Sequence, residues 1–131
     1  MKNIKLIIFD LDGTLVNAYP AIIRSFNYAL QKLSYPKQDA LTIRRAVGWG
    51  DENLLKPFVP AKELNCALEL YRNHHKDSLL KHSRLYPQVR FLLQFLKAKD
   101  YKLAVASNRP TKFSLILINH LGIDKFFDYV L

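Results

Sequence analysis

Residues 5–14 of the chain read KLIIFDLDGT, and this stretch decides the fold. The run at residues 5–9 carries bulky apolar side chains at consecutive positions, which is typical of a parallel strand covered on both faces. The run ends at Asp10, and Gly13 supplies the backbone freedom that a tight turn needs. We therefore expect a buried parallel strand that ends in a polar turn, where open α/β sheets bind their ligands.

After this turn the pattern changes from strand to helix and later back to strand. Apolar residues recur at helical spacing between residues 20 and 79, and Pro20 suits a first helical turn. A second apolar strand is predicted at residues 102–106, and a third begins within residues 127–131. Helical patterns separate these strands, so consecutive strands are predicted to run parallel.

This order of elements predicts an α/β fold with a doubly wound, parallel, Rossmann-like core. The core is expected to comprise residues 1–15 and 84–131. Residues 16–83 are expected to form an α-helical cap that is inserted after the first strand.

The polar turn carries two carboxylates, Asp10 and Asp12, on either side of Leu11. In an extended segment, residues two apart point the same way, so both carboxylates can face one pocket. Two nearby carboxylates repel each other, and one of them can then hold a proton for acid–base work. One aspartate can therefore act as a nucleophile while the other transfers protons.

Two strings at the ends of the first two strands resemble motifs of the haloacid dehalogenase superfamily. They are DLDGT at residues 10–14 and VASNRP at residues 105–110. The segment LYPQV at residues 85–89 is also similar to the family's re-entry into the core, with Gln88 where glycine is common. The resemblance implies a Rossmann-like core with a C1-type helical cap, and a phosphatase similar to phosphoglycolate phosphatase.

The resemblance also implies roles for individual residues. Asp10 would attack phosphorus and become an aspartyl phosphate, and Asp12 would protonate the leaving oxygen and then activate water. Mg²⁺ would lie between the Asp10 carboxylate, the Asp12 backbone carbonyl and the phosphate, an oxygen-only site that suits this ion. The residues implied in phosphate binding are Ser107, Asn108, Gly13 and Thr14.

The predicted cap contains a glycine-flanked tryptophan, Gly48-Trp49-Gly50, which follows the arginine pair Arg44-Arg45 after two intervening residues. Caps of this type close over the site, so Arg45, Gly48 and Trp49 are candidate substrate contacts. The alternative is structural. The arginine pair would then stabilise the end of a helix, and Trp49 would pack within the cap.

Charge and composition restrict the partners. The 131 residues carry a formal charge of +9, but the basic residues are scattered, so we expect no nucleic-acid binding. We also expect no membrane segment, because the N-terminal apolar run is too short to span a bilayer. The single cysteine fits the reducing cytoplasm. A small phosphorylated metabolite is the expected partner.

Two family motifs have no candidate in this chain, namely the motif III lysine and the motif IV acidic pair. We therefore expect the chain to be part of a longer protein whose oligomeric state is left open. Residues 1–131 alone are expected to associate through an unpaired strand edge and to lack activity. Two alternatives to a phosphatase remain, a phosphotransferase that resembles β-phosphoglucomutase and a non-catalytic fragment completed by a partner chain.

Overall fold

The computed structural model describes residues 5–131 and divides the chain into two compact units. The first unit joins the described residues up to Asn17 to a segment that starts at Arg84 and ends at Leu131. The second unit, the cap, comprises the intervening residues from Ala18 to Ser83. Between residues 5 and 131 no helix combines the length and the apolar character that crossing a bilayer requires.

A three-stranded parallel sheet forms the centre of the first unit. Its strands are β1 (Leu6–Phe9), β4 (Lys102–Val105) and β5 (Tyr129–Val130), in the order β1-β4-β5. The register pairs Phe9 with Val105, so β1 and β4 end side by side. The predicted α/β class with a parallel core is thereby confirmed.

Helices connect the strands of this sheet. Helix α5 (Val89–Ala98) precedes β4, and α6 (Thr111–His120) leads from β4 towards a 3₁₀ turn at Asp124–Phe126 and then β5. Both helices bury apolar side chains, among them Leu93 of α5 and Leu117 of α6. Each helix therefore turns apolar side chains towards the core of the first unit.

Strand β1 departs from the expectation that both of its faces are covered. Leu6 is 45% exposed and Ile8 is 57% exposed. Among the described residues β1 pairs with β4 on one side only, so it is an edge strand. The prediction of a strand buried on both faces is therefore wrong for the described chain.

A short antiparallel ribbon lies where the cap leaves and rejoins the first unit. It pairs β2 (Val16–Asn17) with β3 (Arg84–Leu85). Residues 16 and 17 belong to the first unit together with their partners in β3. Because each strand has only two residues, no periodic pattern in the sequence marks it.

The cap consists of four α-helices and two 3₁₀ turns. The helices are α1 (Tyr19–Lys32), α2 (Ala40–Ala46), α3 (Asp51–Leu55) and α4 (Leu64–His82), and the turns are Lys56–Phe58 and Ala61–Glu63. Helices α1 and α4 pack against each other, and the Ser78 hydroxyl donates to the Ala21 carbonyl oxygen at 2.9 Å. Ser25 is buried between two ring nitrogens, Nδ1 of His74 at 2.9 Å and Nδ1 of His75 at 3.0 Å.

Candidate active site

The turn after β1 is organised around Leu11, whose side chain is fully buried. The Leu11 carbonyl oxygen accepts hydrogen bonds from the backbone N–H groups of Leu15 and Val16, both at 3.0 Å. Gly13 has a φ of 80°, a left-handed conformation that glycine adopts without strain. The apolar residue between the two aspartates therefore anchors the turn in the core.

Asp10 and Asp12 lie on either side of this anchor. Asp10 is exposed, and its Oδ1 atom accepts a hydrogen bond from the Leu11 N–H at 2.8 Å. The side chain of Asp12 is only 16% exposed. Leu11 thus points into the core while Asp10 and Asp12 do not, as expected for residues that alternate along an extended segment.

Asp12 forms a two-pronged ion pair with Arg109. Arg109 Nε donates to Oδ2 of Asp12 at 3.0 Å, and Arg109 Nη2 donates to Oδ1. The Arg109 side chain is 8% exposed, so the pair is largely removed from solvent. Sequence reasoning expected Asp12 to be influenced by its neighbour Asp10, whereas its observed charge partner is a guanidinium.

The second loop of the site begins where β4 ends. The Ala106 N–H donates to the Phe9 carbonyl oxygen at 2.9 Å, which ties this loop to the end of β1. The Ser107 hydroxyl oxygen accepts from the Arg109 N–H at 3.2 Å, and Asn108 is exposed. The structure therefore brings the loop that contains Ser107 beside the loop that contains the aspartates.

Gly13 and Thr14 already use their backbone donors within the first turn. The Gly13 N–H donates to the Val16 carbonyl oxygen at 2.9 Å, and the Thr14 N–H donates to the Leu11 carbonyl oxygen at 3.3 Å. Thr14 is exposed. Their role in phosphate binding stays a prediction.

The candidate substrate contacts of the cap belong to the second unit. Arg45 is an exposed residue in the last turn of α2, and Trp49 is exposed in the loop that follows. Gly48 in this loop has a φ of 126°. Arg44, the neighbour of Arg45, lies over the Tyr19 ring with 3.9 Å between Cζ and the ring centroid. The contacts of Arg45, Gly48 and Trp49 with a substrate stay predictions.

The side chains at the strand ends offer oxygen atoms, the type of ligand that a hard divalent cation prefers. Asp10 presents an exposed carboxylate, and carboxylates are ligands that Mg²⁺ prefers. No group of three or more His, Cys, Asp or Glu side chains that could hold a metal occurs in the described chain. This does not disqualify Mg²⁺, which is commonly held by one or two carboxylates together with water and substrate phosphate.

Comparison with known proteins identifies the family. The sequence profile described as "Haloacid dehalogenase-like hydrolase" matches residues 7–131, which is nearly the whole chain. The chain belongs to the haloacid dehalogenase-like hydrolase family. The resemblance carried by residues 10–14 and 105–110 is thereby confirmed at the level of the family.

Individual members of this family resemble the chain closely. Phosphoglycolate phosphatase of Haemophilus influenzae (strain 86-028NP) is 35% identical over 97% of this chain and 62% of its own length. A predicted phosphoglycolate phosphatase from Haemophilus somnus 129pt has a TM-score of 0.92 at 34% identity, over 100% of this chain and 63% of its own. A haloacid dehalogenase-like hydrolase from Streptococcus pneumoniae, SP0104, has a TM-score of 0.89 at 31% identity, over 97% of this chain and 60% of its own.

These relatives are longer than the segment that matches this chain. The chain spans about 62% of the length of the curated relative from Haemophilus influenzae.

Proposed function

We propose that the protein is a phosphoric monoester hydrolase that acts on a small phosphorylated metabolite through an aspartyl-phosphate intermediate. The observation that carries this proposal is the exposed Asp10 carboxylate at the carboxyl end of β1, two residues from a second carboxylate held in place by Arg109. The similarity to phosphoglycolate phosphatases over almost the whole chain supports the same reaction class.

The proposed reaction divides between the two aspartates. A carboxylate oxygen of Asp10 attacks phosphorus, the bond from phosphorus to the substrate oxygen breaks, and Asp12 gives its proton to the departing alkoxide. Asp12 then takes a proton from water as the water oxygen attacks the same phosphorus. The bond between Asp10 and phosphorus breaks, which releases inorganic phosphate and restores both carboxyl groups.

We further propose Mg²⁺ as the cofactor, held by the Asp10 carboxylate and the Asp12 backbone carbonyl oxygen. Bound there, it would supply positive charge that neutralises the phosphoryl oxygens. Ser107 and Asn108 follow the adjacent strand, so the Ser107 hydroxyl and the Asn108 backbone N–H are the proposed phosphoryl-binding donors.

The proposed substrate is a small phosphomonoester such as phosphoglycolate or a sugar phosphate. The names of the relatives support the first of these. Selection among such substrates is assigned to the cap, where Arg45, Gly48 and Trp49 remain the candidate contacts. We propose a cytoplasmic location from the single cysteine, and no nucleic-acid or membrane partner.

The experiment uses the protein expressed from its complete coding sequence. Phosphate release from phosphoglycolate and from sugar phosphates is measured with Mg²⁺ and with excess EDTA. Asp10→Asn should abolish turnover because an amide is a poor nucleophile. Asp12→Asn should lower kcat by about 10²–10⁴-fold, the usual contribution of proton transfer. Asp124→Asn, an exposed aspartate of the same unit, serves as the control and should leave kcat unchanged.

Three results would contradict the proposal. Near wild-type kcat in Asp10→Asn would show that Asp10 is not the nucleophile. Undiminished turnover in excess EDTA would show that the reaction needs no divalent cation. Transfer of phosphate from one sugar hydroxyl to another, without release of inorganic phosphate, would identify a mutase instead.

A further inference from the structure

The ion pair between Arg109 and Asp12 takes no direct part in the bond-breaking and proton-transfer steps of the proposed reaction. We propose that Arg109 is a positioning residue that fixes the Asp12 carboxyl group in the orientation in which it transfers protons. This inference rests on the proposed function, because it concerns the proton-transfer steps assigned to Asp12. The two residues are 97 positions apart in sequence, so the contact joins two separate loops.

The geometry of the pair favours orientation over simple charge attraction. Arg109 uses two different nitrogens, Nε and Nη2, and each donates to a different oxygen of Asp12. A planar guanidinium that donates in parallel to both oxygens fixes the plane of the carboxyl group as well as its distance. Lysine, with one ammonium group, can fix only the distance.

The surroundings of Arg109 hold it in this position. Its side chain is only 8% exposed, and its backbone N–H donates to the Ser107 hydroxyl oxygen at 3.2 Å. Ala106, three residues earlier, is bound to the end of β1 through the Phe9 carbonyl oxygen at 2.9 Å. The loop that carries Arg109 is therefore fixed to the end of β1, where the aspartates follow.

The pair leaves the Asp12 carboxylate able to accept a proton. Each carboxylate oxygen has two lone pairs, and one hydrogen bond from Arg109 occupies only one of them. The third guanidinium nitrogen, Nη1, is buried and has no hydrogen-bond partner in the described part of the chain. Because both guanidinium nitrogens that make contacts bind Asp12, we expect Arg109 to act on the proton-transfer step and to contribute little to substrate binding.

A double-mutant cycle tests this role in the protein expressed from its complete coding sequence. Arg109→Ala should lower kcat by about 10- to 100-fold, the usual cost of a misplaced catalytic group. KM should change by less than about threefold, because the lost interaction is not one of uniform substrate binding. In the Asp12→Asn background, Arg109→Ala should lower kcat by less than about threefold more, since the group that it positions is already disabled.

Three further variants and conditions separate positioning from general support of the fold. Arg109→Lys should recover only part of the lost kcat, and added guanidinium ion should partly restore Arg109→Ala. Arg90→Ala is the matched control, because Arg90 also uses two nitrogens but binds the carbonyl oxygens of Gly122 and Leu121. It should leave kcat within about twofold of the wild-type value, as is usual for a group that takes no part in proton transfer.

The outcomes distinguish this inference from the proposed function. If the wild type releases phosphate but Arg109→Ala lowers kcat equally in both backgrounds, Arg109 does not act through Asp12 and the inference is overturned. A raised KM with unchanged kcat would also overturn it and would make Arg109 a binding residue. If the wild type releases no phosphate from any monoester, the proposed function is wrong, and the positioning role of Arg109, which depends on it, is wrong as well.

Discussion

Replacing Leu11 by alanine tests whether the candidate active-site turn is anchored in the core. Leu11 is fully buried between the two aspartates, and the substitution removes three carbon atoms. At about 0.8 kcal/mol per buried CH₂, the transfer contribution is about 2.5 kcal/mol. The cavity left behind adds to this, which gives about 3–4 kcal/mol, within the usual range for buried Leu→Ala changes. This is a large share of the roughly 5–15 kcal/mol that stabilises a domain.

The matched control is Leu115→Ala in α6, which deletes the same atoms from a side chain that is 48% exposed. It should cost about 1 kcal/mol or less, because about half of the area is already in water and no closed cavity forms. Urea unfolding followed by far-ultraviolet circular dichroism, with unchanged m-values, gives both free energies. Equal costs for Leu11→Ala and Leu115→Ala would refute the view that Leu11 anchors the turn.

Three other predictions concern the first unit. The hydrogen bond from the Leu103 N–H, and to a smaller extent the one from Lys97, lowers the pKa of Asp128 in the folded protein. The Asp128 carboxylate therefore stabilises the fold at pH values above the pKa of the unfolded chain. This contribution is lost as the pH falls through the pKa of the folded protein. The urea midpoints of wild type and Asp128→Asn should therefore differ at pH 7 and approach each other as the pH falls below the unfolded pKa; a difference that stays constant with pH would contradict this. Gln88 has a φ of 72°, so Gln88→Gly should stabilise the protein by up to about 1 kcal/mol in the same urea assay. Residues 1–131 alone should self-associate through the β1 edge, and light scattering should show that Ile8→Lys reduces this association; equal masses for both proteins would exclude the edge as the contact.

Much of the first unit could be predicted from local patterns. The apolar run at residues 5–9 became β1 (Leu6–Phe9), and the run at residues 102–106 became β4 (Lys102–Val105). These predictions succeed because strand and helix periodicity depends only on neighbouring residues. The family could be predicted for a related reason, since its two motifs are short strings at strand ends.

Features that depend on distant contacts could not be predicted in the same way. The exposure of Leu6 and Ile8 depends on which elements lie beside β1, and the strand's own sequence does not specify them. The pairing of Arg109 with Asp12 depends on the register of β1 and β4, which brings loops 97 residues apart into contact. An arginine two residues after Ser107, at the end of the adjacent strand, was the only available signal.

The same register explains how two chemically identical side chains acquire different environments. The sequence Asp-Leu-Asp places equivalent carboxylates on either side of a buried leucine, and nothing in the three residues distinguishes their roles. In the fold, Asp10 is exposed and accepts one backbone hydrogen bond, whereas Asp12 is largely covered and bound at both oxygens by Arg109. A nucleophile must reach phosphorus, and a proton-transfer group must keep a fixed orientation, so these environments support the proposed assignment of Asp10 and Asp12. The difference arises from Arg109, because the second loop supplies a guanidinium to one aspartate only among the contacts that the structure describes.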